Sequence, residues 1–431
     1  MVTTAACAIP QAPERSTVAA SITERTGVAT NGLPLPAKEW AMPPGTSTDD
    51  GLTIDEAVAT ALWNNARFQV ALASLGIARA DLVEAGLLKN PVLSLLFPWG
   101  PKQLEFTATL SIDALWQRPK RIADAKFNVE AVASQLVSTG LNLAADVRLA
   151  FLDAVVAERR LVLATEQVEI GGRAAELAQG RLRAGDISEF EAGLSRTDAA
   201  RLEAAKLVRV SARDLAYIRL RTLIGLDQQS GALRLSAPAP SSAGSCGPPQ
   251  DLMRVAMAAR PDVRAAELQI EAAGARAGLE NARIVALTVS LDANAKGSEG
   301  FEMGPGLAVE IPILSQNQGR RSRAVAEIEQ ASRNYLAARA GVASDVANAL
   351  VGVTEAQAVL RVLGPEIAKT LADARRQADR LHEAGEISML ELLATRQRLI
   401  DTEAARVDAE LGVNRATVRL EQAIGKSCEV K

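Results

Sequence analysis

Helix-type spacing of apolar residues runs through very long stretches of this chain. In the first, residues 119–184, no proline follows Pro119, and the apolar side chains fall on two stripes. One stripe begins at Val129 and Val132, and the other begins at Val137 and Leu141. Such spacing predicts a helix that contacts neighbours on two sides. About 65 residues at 1.5 Å each would span roughly 100 Å, which is a coiled-coil length. The alternative is a buried helix of an ordinary bundle.

The same short turn ends both long stretches. Ala-Gly-Asp-Ile-Ser at 184–188 recurs 200 residues later as Ala-Gly-Glu-Ile-Ser at 384–388. After each turn the chain returns through helix-forming sequence to Gly225 and Gly425, respectively. Glycine suits a tight reversal between antiparallel helices because that reversal often needs a positive φ. The chain is therefore predicted to be a tandem repeat of helical hairpins.

The repeat extends well beyond these turns. At the same offset of 200, residues 224–225 match 424–425, and residues 119–121 match 319–321. Further upstream the best offset falls to 195, so the second copy contains five additional residues (200 minus 195). Exposed loops tolerate such lengthening. We predict that it lies in the Gly- and Ser-rich stretch 294–306.

A period of two lies between the helices of each copy. From Gln103 to Asp113 apolar and polar residues alternate, which predicts a strand with one face of each kind. Val92–Phe97 precedes it, and the second copy provides Ala286–Leu291 and Gly306–Ile313. Four strands per chain are too few to close a barrel. Three chains would provide twelve, within the range of outer-membrane barrels. The alternative is a pair of hairpins on the surface of a soluble domain.

These elements define the predicted domain organisation. A helix opens at Thr53, which is spaced from Glu56 as in a capping box, and continues to about Leu88. Pro365 has no counterpart in the first copy and should kink or interrupt the second long helix. The predicted domains are an extended N-terminal segment (1–50), a first repeat (51–228), a linker (229–250), a second repeat (251–425) and a C-terminal tail (426–431).

Composition and charge narrow the classes of partner. Apolar residues make up 48% of the chain but aromatic residues only 3%, so Ala, Leu and Val must form close seams between helices. The 48 basic and 51 acidic residues give a formal charge of −3, which does not support a nucleic-acid partner. No unbroken run of 18 apolar residues occurs, so we expect no membrane-spanning helix.

The residue types of common catalytic sites are scarce. His382 is the only histidine, so a histidine-based triad or metal site is not expected. Residues 425–427 (Gly-Lys-Ser) are similar to the end of a phosphate-binding loop, but Leu420 occupies the position of its first glycine. We therefore predict no cofactor, no metal and no enzymatic activity.

The three cysteines suggest two modifications. Cys7 follows Thr-Ala-Ala and precedes a non-periodic segment, as at the end of a lipoprotein signal, and is a candidate lipid anchor. The alternative is an ordinary cysteine in a disordered tail. Cys246, in the linker, and Cys428, near the C-terminus, lie at the repeat ends and are candidates for a disulfide. Such a bond requires an oxidising compartment.

Taken together, these features resemble the TolC family of outer-membrane efflux channels, from about Leu52 to Gly425. Pro365, before the second turn, is more similar to the heavy-metal branch of the CzcC and CusC type. The order and duplication of several short motifs carry the resemblance: Leu-Thr-Ile-Asp-Glu-Ala at 52–57 with Asn64-Asn65, Asn90-Pro91, Arg121 and Arg321 after the hairpins, and the two Ala-Gly-(Asp/Glu)-Ile-Ser turns.

The resemblance implies a mainly α fold with a small β part, assembled as a homotrimer. Its tandem-repeat helical hairpins would form a periplasmic α-barrel, and its strands would form a twelve-stranded outer-membrane β-barrel. This channel would passively conduct metal cations or drugs across the outer membrane of a Gram-negative bacterium. A periplasmic adaptor protein and an inner-membrane pump of the RND type would supply them.

The resemblance also assigns roles to the two turns, which would contact the adaptor at the periplasmic tip. The contact residues would be Gly185, Asp186, Ile187, Ser188, Gly385, Glu386, Ile387 and Ser388. Carboxylates beside the turns could favour cations at the channel entrance. The alternative is that these carboxylates are only part of a solvated surface. The residues are Asp186, Glu189, Glu383 and Glu386. Two other functions stay open, namely a type I protein-secretion conduit and a soluble coiled-coil scaffold.

Overall fold

The computed structural model describes residues 12–30, 33, 40–47, 51–97, 99, 104–226, 233–236, 246–295 and 300–428. Ten helices and four strands form within these residues. The helices are α1 (Arg15–Thr26), α2 (Ile54–Asn64), α3 (Ala66–Gly86), α4 (Asp113–Ala184), α5 (Glu189–Ile224), α6 (Pro249–Ala259), α7 (Pro261–Ala282), α8 (Gln318–Leu363), α9 (Pro365–Glu383) and α10 (Met389–Ile424). The strands are β1 (Val92–Leu96), β2 (Leu104–Ser111), β3 (Leu287–Ala295) and β4 (Phe301–Val309).

The chain divides into two compact units, and each takes segments from both repeats. The first unit consists of residues 1–18, 70–138 and 260–341 and contains all four strands. The second unit consists of residues 19–69, 139–259 and 342–431 and contains both glycine turns. The repeats are therefore interleaved within the units.

The first unit contains one antiparallel sheet with the strand order β1-β2-β3-β4. The two predicted hairpins are thus joined edge to edge through β2 and β3. Phe106 lies opposite Leu95 and Ala293, whereas the neighbouring Thr107 lies opposite Ser94 and Asp292. Since directly opposed residues share a face, this register places apolar side chains beside apolar ones and polar beside polar.

The second hairpin is longer than the sequence analysis predicted. β3 and β4 have nine residues each, whereas β1 has five and β2 has eight. Pairing continues until Ala295 lies opposite Phe301, so the prediction of an inserted loop at 294–306 was wrong for most of that stretch. The added pairs extend the ladder of backbone hydrogen bonds. Ile311 and Ile313, predicted to be in the last strand, lie outside it.

Two helix starts also differ from the predictions. Residues 15–26, predicted to be extended, form α1, in which Val18, Ala19 and Ile22 are buried. A helix of 12 residues is too short for its period to stand out in that segment. α4 begins at Asp113 rather than at Pro119 and contains that proline. The fixed φ of proline is compatible with a helix. Because proline has no N–H, Pro119 removes one backbone hydrogen bond near the start of this very long helix.

The predicted helix 51–88 is broken at Asn65. The N–H of Asn65 donates to the Ala61 carbonyl oxygen (2.8 Å) at the end of α2, and its Oδ1 accepts from the N–H of Phe68 (3.1 Å) at the start of α3. Its Nδ2 donates to the Leu223 carbonyl oxygen (2.9 Å) near the end of α5. One buried side chain therefore caps one helix and satisfies the end of another.

The break predicted at Pro365 is confirmed. α8 ends at Leu363, and α9 begins at Pro365 with Gly364 as its N-cap residue. Proline suits the first helical position because its missing N–H would have no partner there. A Cβ at Gly364 would lie 2.6 Å from the Leu360 carbonyl oxygen, so the backbone passes too closely for a larger residue.

One stretch within Gln318–Glu383 is long and apolar enough, by composition alone, to cross a membrane. Its best window has a mean hydropathy of 1.3, and 11% of that window is buried. Our expectation of no such stretch was too strict, because it considered only unbroken apolar runs. The same segment carries Asn348, Glu355 and Arg361, side chains that a lipid core disfavours. The apolar window of this segment is thus largely uncovered in a single chain.

Candidate functional site

Each glycine turn closes its long helix with a Schellman motif. Gly185 has a φ of +81°, its N–H donates to the Leu182 carbonyl oxygen (3.0 Å), and the N–H of Asp186 donates to that of Arg181 (2.9 Å). Gly385 has a φ of +74°, and the two equivalent bonds of its turn are 3.0 and 2.9 Å long. These bonds satisfy carbonyls at the helix end, and the positive φ favours glycine. The duplicated sequence therefore produces the same backbone reversal twice.

A capping box follows each turn and starts the returning helix. The Oγ of Ser188 accepts from the N–H of Glu191 (3.2 Å), and the Glu191 carboxylate accepts from the N–H of Ser188 (2.9 Å). Ser388 and Glu391 repeat these contacts at 3.2 and 2.8 Å. The serine N–H lowers the pKa of each glutamate carboxyl. The sequence analysis missed this role, although Ser-x-x-Glu at the start of a helix was the available signal.

The two turns differ in the residues that end the preceding helix. α4 ends with Arg181 and Arg183, which suit the negative end of a helix dipole. The second turn has His382, whose Nδ1 lies 3.1 Å from the Ile387 carbonyl oxygen and donates to it. This contact reaches across the turn. The only histidine of the chain is therefore bound to the backbone of its own turn.

Charged and apolar side chains surround both turns. Four exposed carboxylates lie there, a pair on each turn: Asp186 and Glu189 on the first, Glu383 and Glu386 on the second. Exposed apolar residues begin the two returning helices: Phe190 and Leu194 in α5, Met389 and Leu390 in α10. Phe190 is 75% exposed. A protein rarely leaves such side chains uncovered unless a partner contacts them.

The sheet of the first unit separates its side chains into two faces. One face is apolar throughout, and its residues are Leu93, Leu95, Leu104, Phe106, Ala108, Leu110, Leu287, Val289, Leu291, Ala293, Ala295, Phe301, Met303, Pro305, Leu307 and Val309. The other face is polar apart from the small residues of β4 and two apolar residues of β1; its polar members are Ser94, Glu105, Thr107, Thr109, Ser111, Thr288, Ser290, Asp292, Asn294 and Glu302. We call these the apolar face and the polar face.

The polar face carries negative charge. Glu105, Asn294 and Glu302 form one row across β2, β3 and β4. In the next row Thr107 donates from Oγ1 to an Asp292 carboxylate oxygen (2.7 Å). Within the four strands as described, this face includes no Lys or Arg. Such a surface suits water and cations, whereas the opposite face suits hydrocarbon.

The sheet has two open edges in a single chain. Among the described residues, β1 pairs with β2 and β4 pairs with β3, so the outer edge of each is unpaired. Both edge strands expose large apolar side chains, including Leu93 (59%) in β1 and Leu307 (65%) in β4. Open apolar edges are unusual in a soluble monomer, because they promote pairing with another chain.

The described residues contain no group of three or more His, Cys, Asp or Glu side chains that could hold a metal ion. The Gly-Lys-Ser sequence at 425–427 terminates α10 and is not a phosphate-binding loop. Gly425 is the C-cap of that helix, with a φ of +80°. Cys7 lies outside the described residues. Cys246 and Cys428 are joined by a disulfide, with their Cα atoms 4.7 Å apart.

Comparisons with known proteins agree with this geometry. Residues 252–426 match the sequence model of the outer membrane efflux protein family. The cobalt-zinc-cadmium resistance protein CzcC of Cupriavidus metallidurans is 25% identical over 353 residues, which cover 81% of this chain and 84% of that protein.

Solved structures share the fold over nearly the whole chain. The outer membrane channel CmeC of Campylobacter jejuni has a TM-score of 0.69 at 14% identity and 92% coverage of both chains. CusC has a TM-score of 0.65 at 18% identity, covering 91% of this chain and 99% of that one. The mainly helical fold with a small sheet, predicted from the sequence, is therefore confirmed. The duplicated turns, the two-faced sheet and these matches point to one family: the chain is similar to the outer membrane efflux proteins, whose sequence model matches residues 252–426.

Proposed function

We propose that three copies of the chain form an export channel of the outer membrane, with β4 of each copy paired to β1 of the next. The observation that carries this proposal is the sheet, which has one apolar face, one polar face and two open edges. Four strands cannot close, but twelve can, and closure removes every unpaired edge. The apolar face then contacts lipid, and the polar face lines water.

The channel conducts passively, and the pump provides the energy. Its contribution is a water-filled path whose charge selects among solutes. On the polar face, Glu105, Asp292 and Glu302 would occur three times each in the trimer. The exposed carboxylates of the turns add to them. These charges favour cations over anions.

The two glycine turns are the proposed contact for a periplasmic adaptor protein. Their Schellman motifs and capping boxes hold the backbone rigid. Beside that rigid backbone lie exposed carboxylates and exposed apolar side chains such as Phe190 and Met389. A rigid, mixed surface at the end of a helical hairpin suits a second protein. The resemblance to the TolC family adds an inner-membrane pump of the RND type as the further partner.

Divalent metal cations are the proposed cargo. The support is the match to a protein whose name describes resistance to cobalt, zinc and cadmium, together with the acidic polar face. A conduit has no need to bind its cargo, so the lack of a metal-ligand cluster among the described residues is compatible with this proposal. Drugs are a second class of solute, and protein secretion is the alternative function.

Cys7 is the proposed lipid anchor. Cys246 and Cys428 are bonded to each other, so Cys7 is the odd cysteine of three. A thioether to lipid at Cys7 would leave no free thiol. Mass spectrometry of the mature N-terminus should show a diacylglyceryl cysteine in the wild type and none after Cys7→Ala. An unmodified Cys7 thiol in outer membranes would exclude the anchor.

Two neighbouring substitutions on β2 test the orientation of the sheet. Leu110 belongs to the apolar face and Thr109 to the polar face. Leu110→Lys places a charge against lipid, at about 2–4 kcal/mol per copy near the midplane, and should abolish recovery of trimers from outer membranes. Thr109→Lys, the matched control, should assemble normally and reduce cation selectivity in planar bilayers. Equal tolerance of both would refute the proposed orientation.

The cargo is tested by deleting the gene. We expect cells without it to become sensitive to cobalt, zinc or cadmium, and expect the wild-type gene, but not the Leu110→Lys variant, to restore resistance. Unchanged metal resistance combined with loss of a secreted protein from the medium would favour the protein-secretion conduit.

A further inference from the structure

The two ends of the second repeat meet at one place in the second unit. Cys246 lies three residues before α6, which begins at Pro249, and Cys428 lies four residues after α10, which ends at Ile424. The bond between them spans 182 residues of sequence. It therefore encloses the whole second repeat (251–425) in one covalent loop.

Non-covalent contacts hold the Cys428 side of this loop in place. The N–H of Cys428 donates to a Glu421 carboxylate oxygen (2.9 Å), and the N–H of Ser427 donates to the Arg25 carbonyl oxygen (2.7 Å). The other oxygen of Glu421 accepts from Arg148 (3.1 Å), and these two side chains are only 17% and 15% exposed. Hydrogen bonds between charged groups, as in this pair, are stronger than those between neutral groups. They hold the backbone of Ser427 and Cys428 beside Arg25 and Glu421.

The linker is held at a second point, before Cys246. The N–H of Leu52 donates to the Arg234 carbonyl oxygen (2.9 Å), and the N–H of Ser236 donates to that of Leu52 (2.9 Å). The start of the first repeat is therefore bound to the same linker whose end carries Cys246. Hydrogen bonds fasten the linker to one repeat, and the disulfide fastens it to the end of the other.

We propose that Cys246 and Cys428 are oxidised after export by a thiol–disulfide oxidoreductase, and that their bond is a covalent clamp on the ends of the second repeat. The bridge is accessible to such an enzyme, because it lines a surface cavity of about 390 Å³ together with Glu24, Ile424 and Lys426. Both cysteines are half-buried.

The oxidation is a two-electron exchange. The Cys246 thiolate attacks the disulfide of the oxidant and forms a mixed disulfide, releasing one thiolate of the oxidant. The Cys428 thiolate then attacks the Sγ of Cys246 and displaces the second thiolate of the oxidant. The two protons of the cysteine thiols end on the oxidant, which leaves as a dithiol. Cys428 follows the second repeat (251–425) in the sequence, so the second step must follow export of the whole second repeat.

Thiol trapping tests the oxidation. Outer membranes with the full-length protein are treated with an alkylating reagent in denaturant, before and after reduction, and the modified cysteines are identified by mass spectrometry. We expect no alkylation of Cys246 and Cys428 before reduction and complete alkylation after it. In cells that lack the thiol oxidase, both should be alkylated without reduction. Free thiols in oxidase-competent cells would overturn the proposal.

Thermal denaturation of the purified full-length protein tests the clamp. A disulfide that encloses a long loop restricts the unfolded chain strongly, so its loss should lower the denaturation temperature by about 5 °C or more. Cys246→Ser, Cys428→Ser and the double variant should lose the same amount, because each removes the same bond. Reductant should lower the wild type to their level and leave the double variant unchanged. A wild type insensitive to reductant, or additive single variants, would contradict the clamp.

Channel conductance separates this inference from the proposed function. The bridge lies apart from the sheet and from both turns in sequence, and no conducting role is assigned to it. The double Ser variant should therefore conduct like the wild type at a temperature below its denaturation. If both proposals are right, the double Ser variant should have a lower denaturation temperature than the wild type and a normal conductance.

Discussion

Replacing Gly185 or Gly385 by alanine isolates the energetic cost of the backbone reversal at each turn. A Cβ at either position would meet no atom within 4 Å, so the substitution introduces no clash. The φ values of +81° and +74° remain, and an L-residue in that region costs about 1–2 kcal/mol. This change corresponds to a roughly 5- to 30-fold increase in the population with an open turn.

Hydrogen exchange of the purified protein, followed by mass spectrometry on peptides that cover the turns, measures this local opening. Gly180→Ala provides a matched control, since Gly180 lies within α4 and a Cβ there also meets no atom within 4 Å. In a helix interior alanine is favoured over glycine by about 0.5–1 kcal/mol. The control should therefore slow exchange near the end of α4, whereas Gly185→Ala should accelerate it.

The two glycine-to-alanine changes are five residues apart. If one accelerates hydrogen exchange and the other slows it, the difference in φ between the two positions is the explanation. If Gly185→Ala leaves exchange unchanged, or slows it as Gly180→Ala does, the turn does not have the left-handed conformation that the Schellman motif requires. Gly385→Ala, measured in the same way against the wild type, tests whether the second turn behaves like the first.

Three further predictions concern the caps, the core and the entrance. Ser188→Ala should cost about 1 kcal/mol of local stability at the first turn. The pKa of Glu191 is lowered from its ordinary value of 4.5, so its contribution is present above that value and is lost as the pH falls through the lowered pKa. Exchange corrected for intrinsic rates should therefore rise at acidic pH in the wild type; the same rise in Glu191→Gln, which has no carboxyl group to protonate, would contradict the capping box. Asn65→Ala removes two helix-end contacts of a buried side chain and should cost about 2 kcal/mol, seen as a lower denaturation temperature; an unchanged temperature would show that the contacts contribute nothing. Glu383→Gln with Glu386→Gln should reduce cation selectivity in bilayer recordings, and an unchanged reversal potential would remove these residues from the entrance.

Features that repeat, or that follow a strict period, were predictable from the sequence. The two glycine turns stand 200 residues apart with the same neighbours, so the helical hairpins were predicted together with their closing residues. The alternation from Gln103 to Asp113 predicted both faces of β2 correctly. The interruption at Pro365 followed from the chemistry of proline, which has no N–H to donate within a helix.

Features that depend on contacts between distant segments were not predictable. The break at Asn65 exists because that side chain reaches Leu223, 158 residues away. α1 is a short helix defined by the burial of Val18, Ala19 and Ile22 and not by a long pattern. The extension of β3 and β4 through a Gly- and Ser-rich stretch depends on their mutual pairing, which overrides local propensity.

The pairing of β2 with β3 is a long-range feature with functional consequences. The period of each strand gave its two faces, but only the register between strands shows that all apolar sides coincide. That coincidence turns two amphipathic hairpins into one surface for lipid and one for water. The sequence analysis could therefore propose a barrel only from the number of strands and from resemblance, whereas the register gives a physical reason for it.

The mass of the particle extracted in mild detergent from outer membranes tests the central claim most directly. The protein is expressed from its own gene, and its mass is measured without cross-linking. A membrane-derived particle of three chains is the result that the twelve-stranded barrel requires. A monomer or dimer in the soluble fraction would contradict it, because β1 and β4 would then stay unpaired and the apolar face would have no lipid to contact.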